Sequence, residues 1–162
     1  MTPRSGEPRS AWTLVAGAGA GPALRLDEPL SFWGGVDPSS GAIIDGRHPQ
    51  AGSSVAGRVL VVPSGRGSSS SSSVLAEAVR AGTAPAAIVL CEPDPILVVG
   101  AMVAAGLYGT SVPVVVLAGD DYRELAAEAE DRWLEVRADP NEATVRVIPP
   151  EPPAAPPPPG RT

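Results

Sequence analysis

GRVLVVPSGRGSSSSSSVLAEAVRAGTAPAAIVL, residues 57–90, decides the fold. The apolar run at residues 59–62 reads as a strand, and it enters a Gly65-Arg66-Gly67 turn. Six serines follow, Ser68 to Ser73, and then Val74, Leu75, Ala78 and Val79 recur at helical spacing, with Gly82 standing where a helix stop belongs. A serine run alone reads as a low-complexity linker, but a strand before it and an amphipathic helix after it make it a helix start. Strand, glycine turn and helix N-terminus in that order are anion-binding architecture. Gly65 and Gly67 let the backbone approach a ligand, and the unpaired N–H groups of the first helical turn face the same spot. Arg66 adds a planar fork suited to a carboxylate or phosphate.

Outward from this unit, strands are expected at residues 12–16 and 23–26, separated by glycines, and a long loop covers residues 30–52. Beyond the first helix (69–81) come a strand at 86–91, a buried helix at 96–107 and a strand at 112–117. A helix capped by Asp120 or Asp121 runs to about Trp133, and short strands follow at 134–137 and 144–148. The alternation of strands and helices implies parallel pairing, so the expected fold class is α/β, a β/β/α domain. The polar residues 1–10 and the proline-rich residues 149–162 are expected to be disordered, because proline lacks the N–H that helix and sheet require. The domain proper is residues 11–148. The tail reads as a solvated spacer, with a polyproline II ligand as the alternative.

Composition narrows the function. The 162 residues are 43% hydrophobic with only six aromatic side chains, enough for one ordinary core with close helix-on-sheet packing. A net charge of −6 without a basic cluster argues against nucleic acid and against anionic membranes as partners. The longest apolar stretch is too short to span a bilayer, and the N-terminus lacks a signal-type apolar region beside basic residues, so a cytoplasmic protein is expected. One cysteine, Cys91, and one histidine, His48, are too few for a metal site made by this chain alone. No lysine follows a glycine-rich turn as in a Walker A loop, and no GxSxG occurs. Gly17, Gly19 and Gly21 lack GxGxxG spacing, have Pro22 after them, and read as a strand connection. In the long loop, Trp33 with Gly34 and Gly35 either walls a ligand pocket or anchors the loop on the core. Asp45 and His48 shape the same loop, and turn chemistry accounts for Asp37 and Asp45.

Four strings carry a resemblance: LSFWGGVDPSSGAIIDGRHP (30–49), AGRVLVVPSGRGSSSSS (56–72), GTAPAAIVL (82–90) and LYGTSVPVV (107–115). Together they resemble the small subunit, or swivel domain, of aconitase X, over residues 12–117. The resemblance implies a swivelling β/β/α domain that closes over a large subunit, which holds the iron or iron–sulfur centre. It also implies a hydro-lyase acting on a small anionic substrate, either cis-3-hydroxy-L-proline, towards which this reading leans, or mevalonate 5-phosphate. The serine after the family's Gly-Arg-Gly is its proton acceptor, which corresponds to Ser68 here. Arg66, with Gly65, Gly67 and Ser69, would then hold the substrate anion. The rival reading from another class is a non-catalytic anion-binding regulatory module that has kept the fold.

Overall fold

The computed structural model describes residues 6–150. The chain forms β1 (Arg9–Val15), β2 (Gly17–Arg25), β3 (Val59–Val62), α1 (Ser71–Ala81), β4 (Ala87–Leu90), α2 (Pro95–Tyr108), β5 (Val114–Val116), α3 (Gly119–Glu128), β6 (Trp133–Ala138) and β7 (Ala143–Ile148). The strands close into a barrel in the order β1-β5-β4-β3-β2-β6-β7, with β7 pairing back onto β1. The neighbours β2, β3, β4 and β5 are parallel, as the helix–strand alternation predicts, and the remaining pairs are antiparallel.

The parallel strands are continuously apolar because both of their faces are covered. Val59, Val61, Ala87, Val89 and Val115 face the barrel interior with Leu134, Val136, Val145 and Val147, and Leu125 of α3 joins them. The alternate residues Leu60, Val62, Ile88, Leu90, Val114 and Val116 pack against Leu75 and Val79 of α1 and Leu97, Ala101 and Ala104 of α2. The long loop is ordered onto this outer core through the buried Phe32, Val36, Ile43 and Val55. Its own bridges pair Val36 with Ile43 and Ala42 with Ser54.

Four expectations need correction. First, Gly17, Gly19 and Gly21 are not a connection between strands but lie inside β2, paired with Ala138, Val136 and Leu134. A Cβ on Gly19 would collide with the Ala86 carbonyl oxygen, and one on Gly21 with that of Gly57, so glycine is what lets these loops cross the strand. Second, order begins inside the supposedly disordered residues 1–10. Arg9 and Ser10 pair with Val145 and Thr144, and the buried Arg9 guanidinium donates to Glu128 at 3.0 Å. Third, α3 stops at Glu128 and Trp133 opens β6, because pairing with Pro22 and Ile148 claims it; Asp120 and Asp121 sit in the first turn of α3 instead of capping it. Fourth, α2 is buried on one face only, through Leu97, Gly100, Ala101 and Ala104. The disorder expected for residues 1–5 and 151–162 lies outside the described residues. Among the described residues no helix is long and apolar enough to cross a membrane.

Candidate active site

The Gly-Arg-Gly-Ser turn leaves the end of β3 and is held from two sides. On one side it meets the long loop: Leu30 and Gly65 form a parallel bridge, and Arg66 N–H donates to the Leu30 carbonyl at 3.3 Å. Gly67 takes φ 92°, a left-handed conformation that favours glycine, and a Cβ there would also stand 2.9 Å from Ser31 Oγ. On the other side stands Asp94, the N-cap of α2, whose Oδ1 accepts from Ile96 N at 2.8 Å and Leu97 N at 3.3 Å. Its other carboxylate oxygen occupies the space where a Cβ of Gly65 would go. Between the turn and the start of α2 runs an open groove of about 290 Å³, lined by Arg66 with Glu92 and Asp94.

Ser68 is exposed, and its Oγ accepts from Ser70 N at 3.1 Å. The free donors lie one turn earlier than the sequence suggests. The N–H groups of Ser71, Ser72 and Ser73 are tied back to the carbonyls of Ser68, Ser69 and Ser70. Those of Gly67, Ser68 and Ser69 have no acceptor among the described residues. Three successive N–H groups without an acceptor, just ahead of the positive end of α1, are donors that an anion can accept from. Arg66 is exposed and forms no ion pair among the described residues, so its guanidinium is available to the same ligand.

The serine run is not uniform. Ser71 is buried, and its Oγ accepts the Trp33 N–H at 3.0 Å while lying 3.4 Å from Ser31 Oγ, which itself donates to Trp33 O at 2.9 Å. This hydroxyl ties the Trp33-Gly34-Gly35 segment to the start of α1 and leaves the Trp33 ring 59% exposed beside it. The signal for Ser71 was in the sequence: it lies four and seven residues before Leu75 and Ala78, on the inward face of the helix. Ser71→Ala leaves the Trp33 N–H without its partner and is expected to cost about 1–3 kcal/mol. Denaturant unfolding of the chain measures this, with Ser69→Ala, an exposed position, as the control that should change little.

Asp45 and His48 are not brought into the turn. Asp45 Oδ1 accepts from Arg47 N at 3.0 Å in a local turn. His48 is buried with both ring nitrogens engaged, Nδ1 accepting from Gln50 N at 3.1 Å and Nε2 lying 3.2 Å from Glu28 O. That arrangement assigns the ring a neutral tautomer with the proton on Nε2 and a loop-holding task. Asp37 likewise serves a turn: Ser39 donates to it from both Oγ and N, which holds its carboxyl below the usual carboxylate range. Among the described residues no three His, Cys, Asp or Glu side chains converge on a point that could hold a metal. A larger concavity, about 750 Å³, is elsewhere, against residues 17–20 of β2 and the β6–β7 turn; Glu135, which lines it, is paired with both Arg137 and Arg146.

The fold is a closed α/β barrel that presents its Gly-Arg-Gly-Ser turn to solvent. The chain belongs to the aconitase X swivel domain family, whose model matches residues 10–147. It is 53% identical over 115 residues to a cis-3-hydroxy-L-proline dehydratase of Pseudomonas aeruginosa, covering 71% of this chain and 20% of that protein. It is 39% identical over 133 residues to the phosphomevalonate dehydratase small subunit of Methanothermobacter thermautotrophicus, covering 82% of this chain and 94% of that one. The chain thus spans about a fifth of the first relative and nearly all of the second. Among solved structures it resembles the holo-form of Thermococcus kodakaraensis aconitase X, with a TM-score of 0.75 at 29% identity over 89% of this chain and all of the matched one.

Proposed function

We propose that this chain is the small, swivelling part of a composite dehydratase, acting in the cytoplasm, and that it supplies the base and the anion cradle to a site completed by a large subunit. The observation that carries the reading is the turn itself: three unpaired N–H groups, a free Arg66 and the exposed hydroxyl of Ser68 within four consecutive residues. Elimination of water needs a base to take the proton α to a carboxylate while the β-hydroxyl leaves. A serine hydroxyl is too weak a base unless its alkoxide is stabilised. Here the Ser70 N–H already points at Ser68 Oγ, and the three N–H groups, the α1 terminus and Arg66 add positive potential.

Among the described residues no cluster of His, Cys, Asp or Glu side chains could hold a metal, and the iron or iron–sulfur centre implied by the family is proposed to belong to the large subunit. The substrate proposed is cis-3-hydroxy-L-proline, supported by the 53% identity to the P. aeruginosa dehydratase. Mevalonate 5-phosphate is the second reading, favoured by the near-complete match to an archaeal small subunit. Both substrates present an anion to the same N–H groups. Assay of the reconstituted pair on each substrate decides between them, and turnover of neither returns the chain to the regulatory, anion-binding alternative.

Arg66→Lys keeps the charge and loses the two-point fork. In the reconstituted enzyme KM is expected to rise about tenfold, with a fall in kcat no larger than that, because the fork holds the substrate anion before and during reaction. A variant with unaltered KM would remove Arg66 from substrate binding.

A further inference from the structure

α2 has no charged residue in its fourteen positions, PILVVGAMVAAGLY. A helix apolar all round belongs inside a protein. Only one side of it is inside this one: Leu97, Gly100, Ala101 and Ala104 are buried, whereas Val99, Met102, Val103, Leu107 and Tyr108 are exposed, Met102 by 60% and Leu107 by 68%. Val99, Met102, Val103 and Leu107 recur at three- and four-residue intervals and form one stripe, and Tyr108 follows at the end of the helix, beside the α1–α2 groove. Contiguous exposed apolar surface of this kind marks a protein interface.

The stripe connects with the site. Beside it, a groove of about 270 Å³ runs between the helices, lined by Ser72, Ser73, Ala76 and Glu77 of α1, the last paired with Arg80, and by Val103 and Tyr108 of α2. Ser72 and Ser73 follow Ser68 by four and five residues, so a body that closes over the Ser68 turn meets this groove next. The P. aeruginosa relative carries about four-fifths of its length outside the matched region, so the fold occurs together with a much larger body of protein.

We propose that the exposed stripe of α2, with the α1–α2 groove, is the seat of the large subunit, so that docking there brings the Ser68 turn to the composite site. This rests on the dehydratase reading above, and it names the surface by which the two parts join.

The test uses the full chain and its large subunit, mixed and followed by titration calorimetry and by light scattering after gel filtration. Met102→Glu and Leu107→Glu each place a charge on the stripe without touching the core, and glutamate is a good helix former, so the isolated chain should melt as the parent does. Each is expected to weaken association at least about tenfold, whereas Ser68→Ala should associate as the parent. Variants that bind like the parent overturn the stripe as the seat, while turnover by the parent pair keeps the dehydratase reading. A parent pair that associates through the stripe but turns over neither substrate overturns the reading and leaves the surface standing. A parent chain that never associates overturns both. An isolated chain that is a dimer split by Leu107→Glu gives the face to a second copy, and one in which Leu107→Glu exposes residues 151–162 to protease gives it to the chain's own C-terminal segment; either overturns the proposal.

Discussion

Ser68→Ala is expected to lower turnover of the reconstituted enzyme by about 10²–10⁴-fold while leaving the chain folded and able to bind its partner. The rate loss is the ordinary magnitude for removing a positioned general base. Folding survives because Ser68 is exposed and its hydroxyl does one structural thing, accepting the Ser70 N–H at 3.1 Å before the helix begins. Losing a cap-like acceptor costs about 0.5–2 kcal/mol at most. The neighbouring serines separate chemistry from structure. Ser69→Ala should turn over near the parent rate, and Ser71→Ala should lose stability before it loses chemistry, since its hydroxyl holds Trp33. Single-turnover and steady-state rates on the pair, with unfolding of each variant alongside, distinguish these outcomes. A Ser68→Ala enzyme at near parent rate beside an inactive Ser69 variant would move the base one residue along.

The largest loss of stability is expected from Gly19→Ala. β2 lies between β3 and β6, and Gly19 is paired with Val136 while the Ala86 carbonyl passes directly over it. A Cβ there meets backbone, not a side chain that could swing away, so either the strand or the loop leading into β4 must move. Overpacking of this sort costs about 3 kcal/mol, and for a domain of this size roughly 2–4 °C of Tm accompanies each kcal/mol, so Tm should fall by about 10 °C. Gly46→Ala, where nothing lies within 4 Å of the added carbon, should melt within a degree or two of the parent. Thermal unfolding of the two variants checks both. Equal melting of Gly19→Ala and parent would mean that β2 and the Ala86 loop do not approach as described.

The strand at Val59–Val62, the helix ending before Gly82 and the apolar strands β4 and β5 were legible because their cues are local. A β-branched run needs no distant partner to be recognised, and a left-handed Gly82 at φ 78° ends a helix wherever that helix packs. The Gly-Arg-Gly-Ser turn was legible for the same reason. Two glycines and the helix start behind them announce it, and Leu30 and Asp94 then hold it in place from outside.

Other features depended on residues far away in the chain. The glycines of β2 look like a linker until residues 57 and 86 are seen crossing them, and the polar Arg9 looks like a tail until Glu128 and β7 reach it. Ser71 stood at the inward spacing of Leu75 and Ala78, but the Trp33 N–H that its hydroxyl accepts from lies 38 residues away in the chain, and the loop-shaping His48 had no partners until Glu28 and Gln50 met its ring. The sequence by itself therefore determined the parallel α/β core and the Gly-Arg-Gly-Ser turn ahead of a helix, because both are written in neighbouring residues. Only the tertiary structure decided the closure of the barrel, the division of labour within the serine run and the outward stripe of α2, because each depends on which distant surfaces meet and which are left without a partner.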